Sequence, residues 1–158
     1  MNRSSTPENP SLLAIEASTE QCSVALLVNG KITSDVCNTP RSHAKVLLPM
    51  IDALLNASAI SLQDLDALAI GIGPGSFTGI RIGVGVAQGL AYGAQLPVYT
   101  RASLDILAYQ AATKFPACQQ VVASLDARMD ELYWGRYAVE RAEGESPKGP
   151  QYGSGEDR

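Results

Sequence analysis

The residues best suited to chemistry lie in a glycine-rich stretch, GPGSFTGIR, from residue 73 to residue 81. An apolar run ends just before it, and Ser76 is a typical helix-capping residue, so we predict a strand, a tight turn and a helix. The unpaired amides at a helix start can hold a phosphate. Arg81 supports such a site weakly, because a cation in the first turn opposes the helix dipole, but an ordinary salt bridge or a solvated side chain is the favoured interpretation. The candidate nucleotide- or anion-binding residues are Gly73, Gly75, Ser76, Thr78 and Arg81.

The turn lacks both common phosphate-binding motifs. A P-loop needs a lysine after its second glycine, and this turn contains no lysine. The dinucleotide fingerprint needs three glycines, and Ser76 and Gln88 stand where the third would be. Neither kind of nucleotide site is predicted from the motif.

Two acidic residues, Glu16 and Asp126, stand at the ends of predicted strands, where an acid helps to hold a metal and water in ATPases of the fold predicted below. Glu16 is followed by Ala-Ser-Thr and lacks the usual glycine, and Asp126 is followed by Ala-Arg and lacks the glycine and the hydroxyl residue. We therefore expect no working ATPase. Asp126 with Arg128 is alternatively a structural ion pair.

His43 is the one histidine of the chain. Leu47 stands four residues later, which excludes an H-x-x-x-H metal site, and any Ser-His-Asp arrangement would have to use His43. A capping or hydrogen-bonding role is the favoured interpretation. The aromatic residues around Trp134 are likewise expected to pack rather than to stack on bases, because basic residues are not clustered near them.

The predicted helix after the turn carries an unusual number of glycines. They form two registers at spacing four, Gly79 with Gly83, and Gly85 with Gly89 and Gly93. Each interior glycine costs about 1 kcal/mol relative to alanine. Small residues at this spacing let another backbone approach closely, and the neighbour is either the protein's own sheet or first helix, or the helix of a partner.

Composition narrows the class of protein. The chain has 158 residues and a formal net charge of −4, and a sequence pI of about 4.9. The basic residues are scattered along the sequence, which argues against a protein that binds nucleic acid without a partner. The polar first ten residues and the lack of a long apolar run predict a cytoplasmic protein without a signal peptide or membrane span. Three cysteines in such a chain are expected to be reduced thiols.

The pattern of apolar residues predicts an α/β fold. Its order to residue 113 is three strands, then helix, strand, helix, strand, helix. Asn29-Gly30 predicts a two-residue hairpin turn, which places Cys22 opposite Cys37. Pro49 should kink or divide the first helix, from about residue 42 to residue 57. Short turns and crossovers then give a mixed five-stranded sheet, the order of ribonuclease-H-like units in actin and Hsp70.

From Val121 the strand pattern starts again and resembles the opening of a second copy of the same unit. We predict a leader over residues 1–10, a lobe over 11–116, the first hairpin of an incomplete second lobe over 117–140, and a disordered tail over 141–158.

Three sequence motifs of this chain resemble those of one known family. The motif from Gly73 to Gly83, with IEASTEQCSVA from Ile15 and LDARMDELYW from Leu125, resembles the signature of the TsaB (YeaZ) family over residues 12–137. The resemblance implies two ribonuclease-H-like lobes related to the actin and Hsp70 ATPases. It also implies a non-catalytic partner of TsaD in making threonylcarbamoyladenosine beside the tRNA anticodon, with TsaE in a ternary complex and tRNA contacted only indirectly.

TsaB resembles TsaD but lacks its metal-binding histidine pair, in keeping with the single His43. The resemblance further implies that the first two helices pack on matching helices of TsaD or of a second TsaB. The predicted interface residues are Val46, Met50, Leu54, Gly79, Gly83, Gly85, Gly89 and Gly93. Three alternatives stay open: a regulator that binds ATP or ADP at the subunit interface, a glycoprotease-like hydrolase, and a non-functional fragment.

Overall fold

A computed structural model of the chain describes residues 9–39 and 42–140. The predicted leader and tail lie almost wholly outside these residues. The elements in chain order are β1 (Leu12–Glu16), β2 (Cys22–Val28), β3 (Lys31–Cys37), α1 (His43–Ala57), a short 3-10 helix (Leu62–Asp64), β4 (Ala67–Gly71), α2 (Phe77–Ala94), β5 (Val98–Arg101), α3 (Ser103–Lys114), β6 (Gln120–Arg128) and β7 (Glu131–Ala138).

The first five strands form one mixed sheet in the order β3-β2-β1-β4-β5. The strands β1, β2 and β3 are joined by short turns and pair antiparallel. By contrast, β4 and β5 each follow a helix, and they extend the sheet in the parallel direction. The predicted mixed five-stranded sheet and the ribonuclease-H-like lobe are thus confirmed.

The hairpin register between β2 and β3 also follows the prediction. Asn29 and Gly30 both adopt positive φ, at 51° and 75°, as a tight hairpin turn requires. Val28 pairs with Lys31, and Cys22 pairs with Cys37 at the far end. Because alternate residues point to opposite faces, this register turns Cys22, Val24 and Leu26 into the core.

The core of the lobe lies between the sheet and the helices α1 and α2. Leu13 and Leu68 on neighbouring strands are fully buried, and Leu47 of α1 covers them from the helix layer. The helix α1 continues through Pro49, so of the two predicted effects, a kink or a division, the division does not occur. Pro49 is exposed, so water can solvate the carbonyl of the preceding turn that loses its partner.

The remaining elements form a second compact unit, which begins at Ala102. Here α3 packs on the β6–β7 hairpin, with Leu104 and Ala108 buried against Val121. The Tyr137 hydroxyl donates a hydrogen bond of 3.1 Å to the buried Asp105 carboxylate. The sequence grouped α3 with the first lobe, because no break in the pattern separates it from β5. In the structure, the apolar face of α3 packs against the β6–β7 hairpin.

Among residues 9–39 and 42–140, no helix combines the length and the apolar character needed to cross a bilayer.

Candidate functional site

The glycine-rich turn between β4 and α2 is held by the loop that follows β1. The Ser76 amide donates to the Ser18 carbonyl over 2.6 Å, and the Ser76 hydroxyl caps α2 by accepting from the Gly79 amide at 3.2 Å. Gly75 lies against the same Ser18 carbonyl, with a φ of 153°, and a Cβ atom there would overlap the oxygen. The small residues of the motif therefore let the turn pack closely against the loop that follows β1.

These contacts bear on the predicted anion site. Two amides at the start of α2, those of Ser76 and Gly79, already have partners within the protein. The Arg81 guanidinium lies 3.8 Å from the centre of the exposed Phe77 ring, which is a cation–π contact one helical turn away. Of the other candidates, Gly73 is buried and Thr78 is exposed. A nucleotide site here stays a prediction, and the geometry gives the turn a structural use.

The acid at the end of β1 also has a structural use. A Glu16 carboxylate oxygen accepts the Ser18 amide at 2.7 Å, and the carboxylate fills the space over Gly71, where a Cβ would overlap it. In the second unit, Asp126 accepts the Arg128 amide at 2.7 Å, which fixes the hairpin turn. Both carboxylates thus shape loops at strand ends.

The single histidine connects α1 to the same loop. His43 is buried, and its Nε2–H donates to the Thr19 carbonyl over 3.0 Å. A carbonyl can only accept, so the proton sits on Nε2. Within the part of the chain that the structure describes, no group of three or more His, Cys, Asp and Glu side chains is placed to hold a metal ion. His43 has the hydrogen-bonding role that the sequence favoured.

The two glycine registers of α2 face different surroundings. Gly79 and Gly83 are buried, and a Cβ on Gly83 would come within 3.1 Å of the Ala17 Cβ and 3.3 Å of Ile70. For the other register the space is open: a Cβ would meet no atom within 4 Å at Gly85, Gly89 or Gly93. The neighbour of the first register is the protein's own sheet, whereas the second forms an exposed stripe of small residues.

Gly85 and Gly89 of the exposed register, but not Gly93, line an open groove of about 530 Å³ together with residues of α1. We call it the α1–α2 groove, and it is lined mainly by apolar and small residues. These residues are Ala44, Leu48, Arg81, Ile82, Gly85, Val86, Gly89 and Leu90. Leu48 is 51% exposed despite being a large apolar side chain. Together they form a surface that a second helix could enter.

The groove differs in part from the predicted interface. Of the predicted residues, Gly85 and Gly89 line the groove, whereas Met50, Gly79 and Gly83 are buried. Val46 and Leu54 are half-buried and pack against the core. Ala44 and Leu48 line the groove without having been predicted. Their spacing of four residues places Ala44 and Leu48 on one side of α1. Because the apolar face of α1 is broad, the sequence alone does not show which part of that face is exposed.

Comparison with known proteins shows to which family the chain belongs. The family model described as "TsaD: tRNA N6-adenosine threonylcarbamoyltransferase" matches residues 37–156. The tRNA threonylcarbamoyladenosine biosynthesis protein TsaB of Haemophilus influenzae is 49% identical over 134 residues, which is 85% of this chain and 56% of that protein. The chain belongs to the TsaB (YeaZ) family. Its similarity to the TsaD model agrees with the resemblance between TsaB and TsaD.

Other members of the TsaB family give the same result. The Escherichia coli protein of the same name is 48% identical over 80% of this chain and 54% of its own length. The solved structure of YeaZ from Pseudomonas aeruginosa is 44% identical, with a TM-score of 0.80 over 90% of this chain and 65% of that one. The chain thus spans about half the length of the curated TsaB relatives it matches.

Proposed function

We propose that this chain is a non-catalytic partner in the formation of threonylcarbamoyladenosine in tRNA, and that it docks on TsaD through the α1–α2 groove. The observation that carries the proposal is the exposed register of Gly85, Gly89 and Gly93. Gly85 and Gly89 share the groove with an exposed leucine, Leu48, which supplies apolar contact area.

The energetics of α2 support docking by another helix. Three glycines at about 1 kcal/mol each lower the intrinsic stability of the helix, and no contact among residues 9–39 and 42–140 offsets this at the exposed register. A partner helix could approach the backbone along the stripe and gain dispersion contacts that a larger side chain would block. Leu48 and Leu90 would then pack on either side of it.

The choice of partner follows from the family. Relatives that are 48–49% identical carry the name tRNA threonylcarbamoyladenosine biosynthesis protein TsaB, and the resemblance implies pairing with TsaD through the first two helices. A net charge of −4 fits a subunit that meets tRNA only through basic partners. TsaE would join the same assembly, which would act in the cytoplasm.

A non-catalytic role agrees with the state of the side chains that could do chemistry. His43 is buried and donates to a backbone carbonyl, and the Glu16 carboxylate accepts the amide of Ser18. Neither has the geometry of a general base that faces an open pocket. Because the chain spans about half the length of its relatives, the proposal concerns docking by this lobe.

Size-exclusion chromatography with light scattering tests the docking. The wild type, a Gly85→Leu/Gly89→Leu variant and a Gln88→Leu control would each be mixed with TsaD. Gln88 is exposed on the same helix but does not line the groove. Leucine has a higher helix propensity than glycine, so the double variant should be at least as stable as the wild type.

We expect a one-to-one complex with the wild type and with Gln88→Leu, and none with the double variant. Circular dichroism and the urea midpoint would confirm that all three proteins are folded. A wild type that is folded but forms no complex with TsaD would overturn the proposal. So would a double variant that binds as tightly as the control.

A further inference from the structure

Two cysteines face each other at the open end of the first hairpin. Cys22 of β2 and Cys37 of β3 are directly paired in the register of the sheet. Counting from the two-residue turn, this is a hydrogen-bonded pair, whose Cα atoms are about 5.5 Å apart. That separation lies within the range of roughly 4.4–6.8 Å that a disulfide bond spans. Both thiols are free in the structure, with Cys22 buried and Cys37 half-buried.

The half-buried sulfur also touches the start of α1. Cys37 Sγ lies 3.4 Å from the Ser42 hydroxyl oxygen, and that hydroxyl donates to the Thr39 carbonyl at 2.6 Å. Ser42 is the N-cap residue of α1, and its carbonyl accepts the Lys45 and Val46 amides at 2.8 and 3.1 Å. The position of the Cys37 sulfur is therefore coupled to the first turn of α1.

We propose that Cys22 and Cys37 form a reversible redox site, in which an intramolecular disulfide draws the Cys37 sulfur away from Ser42 and loosens the first turn of α1. This inference does not depend on docking to TsaD, because both its chemistry and its structural effect occur within the isolated chain. It adds a modification site to the lobe.

The surroundings assign different roles to the two sulfurs. A hydrogen bond from the Ser42 hydroxyl, which can turn from Thr39 to the sulfur, stabilises the thiolate and lowers the pKa of Cys37. Burial raises the pKa of Cys22, and the neighbouring Cys37 raises it further. Cys37 is thus the thiol that reacts first with an oxidant, and Cys22 is the thiol that resolves the product.

The reaction balances with a peroxide as oxidant. The Cys37 thiolate attacks one peroxide oxygen, the O–O bond breaks, and hydroxide leaves, giving a sulfenic acid at Cys37. The Cys22 sulfur then attacks the Cys37 sulfur, the S–O bond breaks, and the departing hydroxide takes up the Cys22 proton as water. Overall, two thiols and one hydrogen peroxide give one disulfide and two water molecules. A dithiol reductant reverses the change by thiol–disulfide exchange.

Mass spectrometry of the whole chain tests the site. The wild type, Cys37→Ser and Cys118→Ser would be treated with hydrogen peroxide, alkylated and digested. Cys118→Ser is the matched control, because it removes the third cysteine and keeps the pair. Cys22→Ala provides a second disruption of the pair, and circular dichroism checks that each variant is folded.

We expect the wild type and Cys118→Ser to lose two alkylatable thiols and two hydrogen atoms, to yield a peptide linked between Cys22 and Cys37, and to recover with dithiothreitol. Cys37→Ser and Cys22→Ala should yield no such link. Hydrogen exchange at the Lys45 and Val46 amides should become several-fold faster in the oxidised wild type. The proposal is overturned if peroxide yields sulfinic acid at Cys37 or cross-linked dimers through Cys118. A linked pair with unchanged exchange at Lys45 and Val46 would equally overturn the coupling to α1.

Discussion

Gly79 of α2 lies so close to Ala17 that a Cβ atom on Gly79 would overlap the Ala17 carbonyl oxygen. Ten residues along the same helix, a Cβ on Gly89 would meet no atom within 4 Å. One helix therefore contains glycines of two kinds: Gly79 is required by its contact with the loop after β1, whereas no contact among the described residues requires Gly89.

Alanine substitutions at these two positions should have opposite effects. Gly79→Ala forces α2 away from Ala17 in the loop after β1 and should lower the free energy of unfolding by about 1–3 kcal/mol, as overpacking does. Gly89→Ala enters open space and improves helix propensity, so it should raise the free energy of unfolding by about 0.5–1 kcal/mol. Urea unfolding followed by circular dichroism measures both. A loss of stability on Gly89→Ala equal to that on Gly79→Ala would contradict the assignment of the exposed register.

The helices and strands of the first lobe could be predicted from the sequence. Local signals were sufficient for the elements: Asn29-Gly30 determined the turn and with it the pairing of Cys22 and Cys37, and Ser76 marked the start of α2. These signals act over a few residues. The order of strands and helices then restricted the sheet to a mixed arrangement, because short turns give antiparallel pairs and helical crossovers give parallel ones.

The candidate site was less predictable, because it depends on contacts between distant parts of the chain. A spacing of four produces two equivalent glycine registers, and the loop at Ala17 and Ser18 selects the one that is buried. The Ser18 carbonyl of the same loop accepts a hydrogen bond from the Ser76 amide, which lies within the predicted anion site. On α1, apolar residues occupy a broad face, so the sequence pattern does not separate the buried Met50 from the exposed Leu48.

Removal of the Leu48 side chain should weaken docking without unfolding the lobe. Leu48→Ala deletes an apolar side chain that is 51% exposed and lines the α1–α2 groove. If it anchors TsaD, the loss should exceed about 1 kcal/mol, which is roughly a fivefold to tenfold increase in Kd. Calorimetric titration with TsaD measures this. Val36→Ala is the control, since Val36 is 50% exposed on β3, outside the groove, and should leave Kd unchanged. Equal weakening by both variants would argue against the groove.

His43 should matter for stability and not for chemistry. His43→Phe keeps a ring in the buried site but removes the donor to the Thr19 carbonyl. Thr19 is half-buried, and loss of an ordinary hydrogen bond costs about 0.5–1.5 kcal/mol, so the free energy of unfolding should fall by that amount. His43→Gln retains an N–H donor and should lose less. Both variants, once folded, should bind TsaD like the wild type. Loss of TsaD binding by His43→Phe with unchanged stability would instead give His43 a functional role.

The capped 3-10 helix predicts an acid dependence of stability. The Asp64 carboxylate accepts the Ser61 hydroxyl at 2.6 Å and the Ser61 amide at 2.8 Å. The hydroxyl hydrogen bond, followed by the amide hydrogen bond, lowers the pKa of Asp64 in the folded protein. A group with a lowered folded pKa contributes its full stabilisation above its unfolded pKa, about 3.9 for Asp, and loses it as the pH falls through the folded value.

We therefore expect Asp64→Asn to lower the urea midpoint at neutral pH and to reduce its fall below about pH 4, the ordinary range of an aspartate. Asp52→Asn, at an exposed position on α1, serves as the control for removal of one negative charge. Ser61→Ala should raise the pKa of Asp64 toward its ordinary value, which a carboxyl NMR titration measures directly. An Asp64 titration that is the same in the wild type and in Ser61→Ala would show that the cap does not set its pKa.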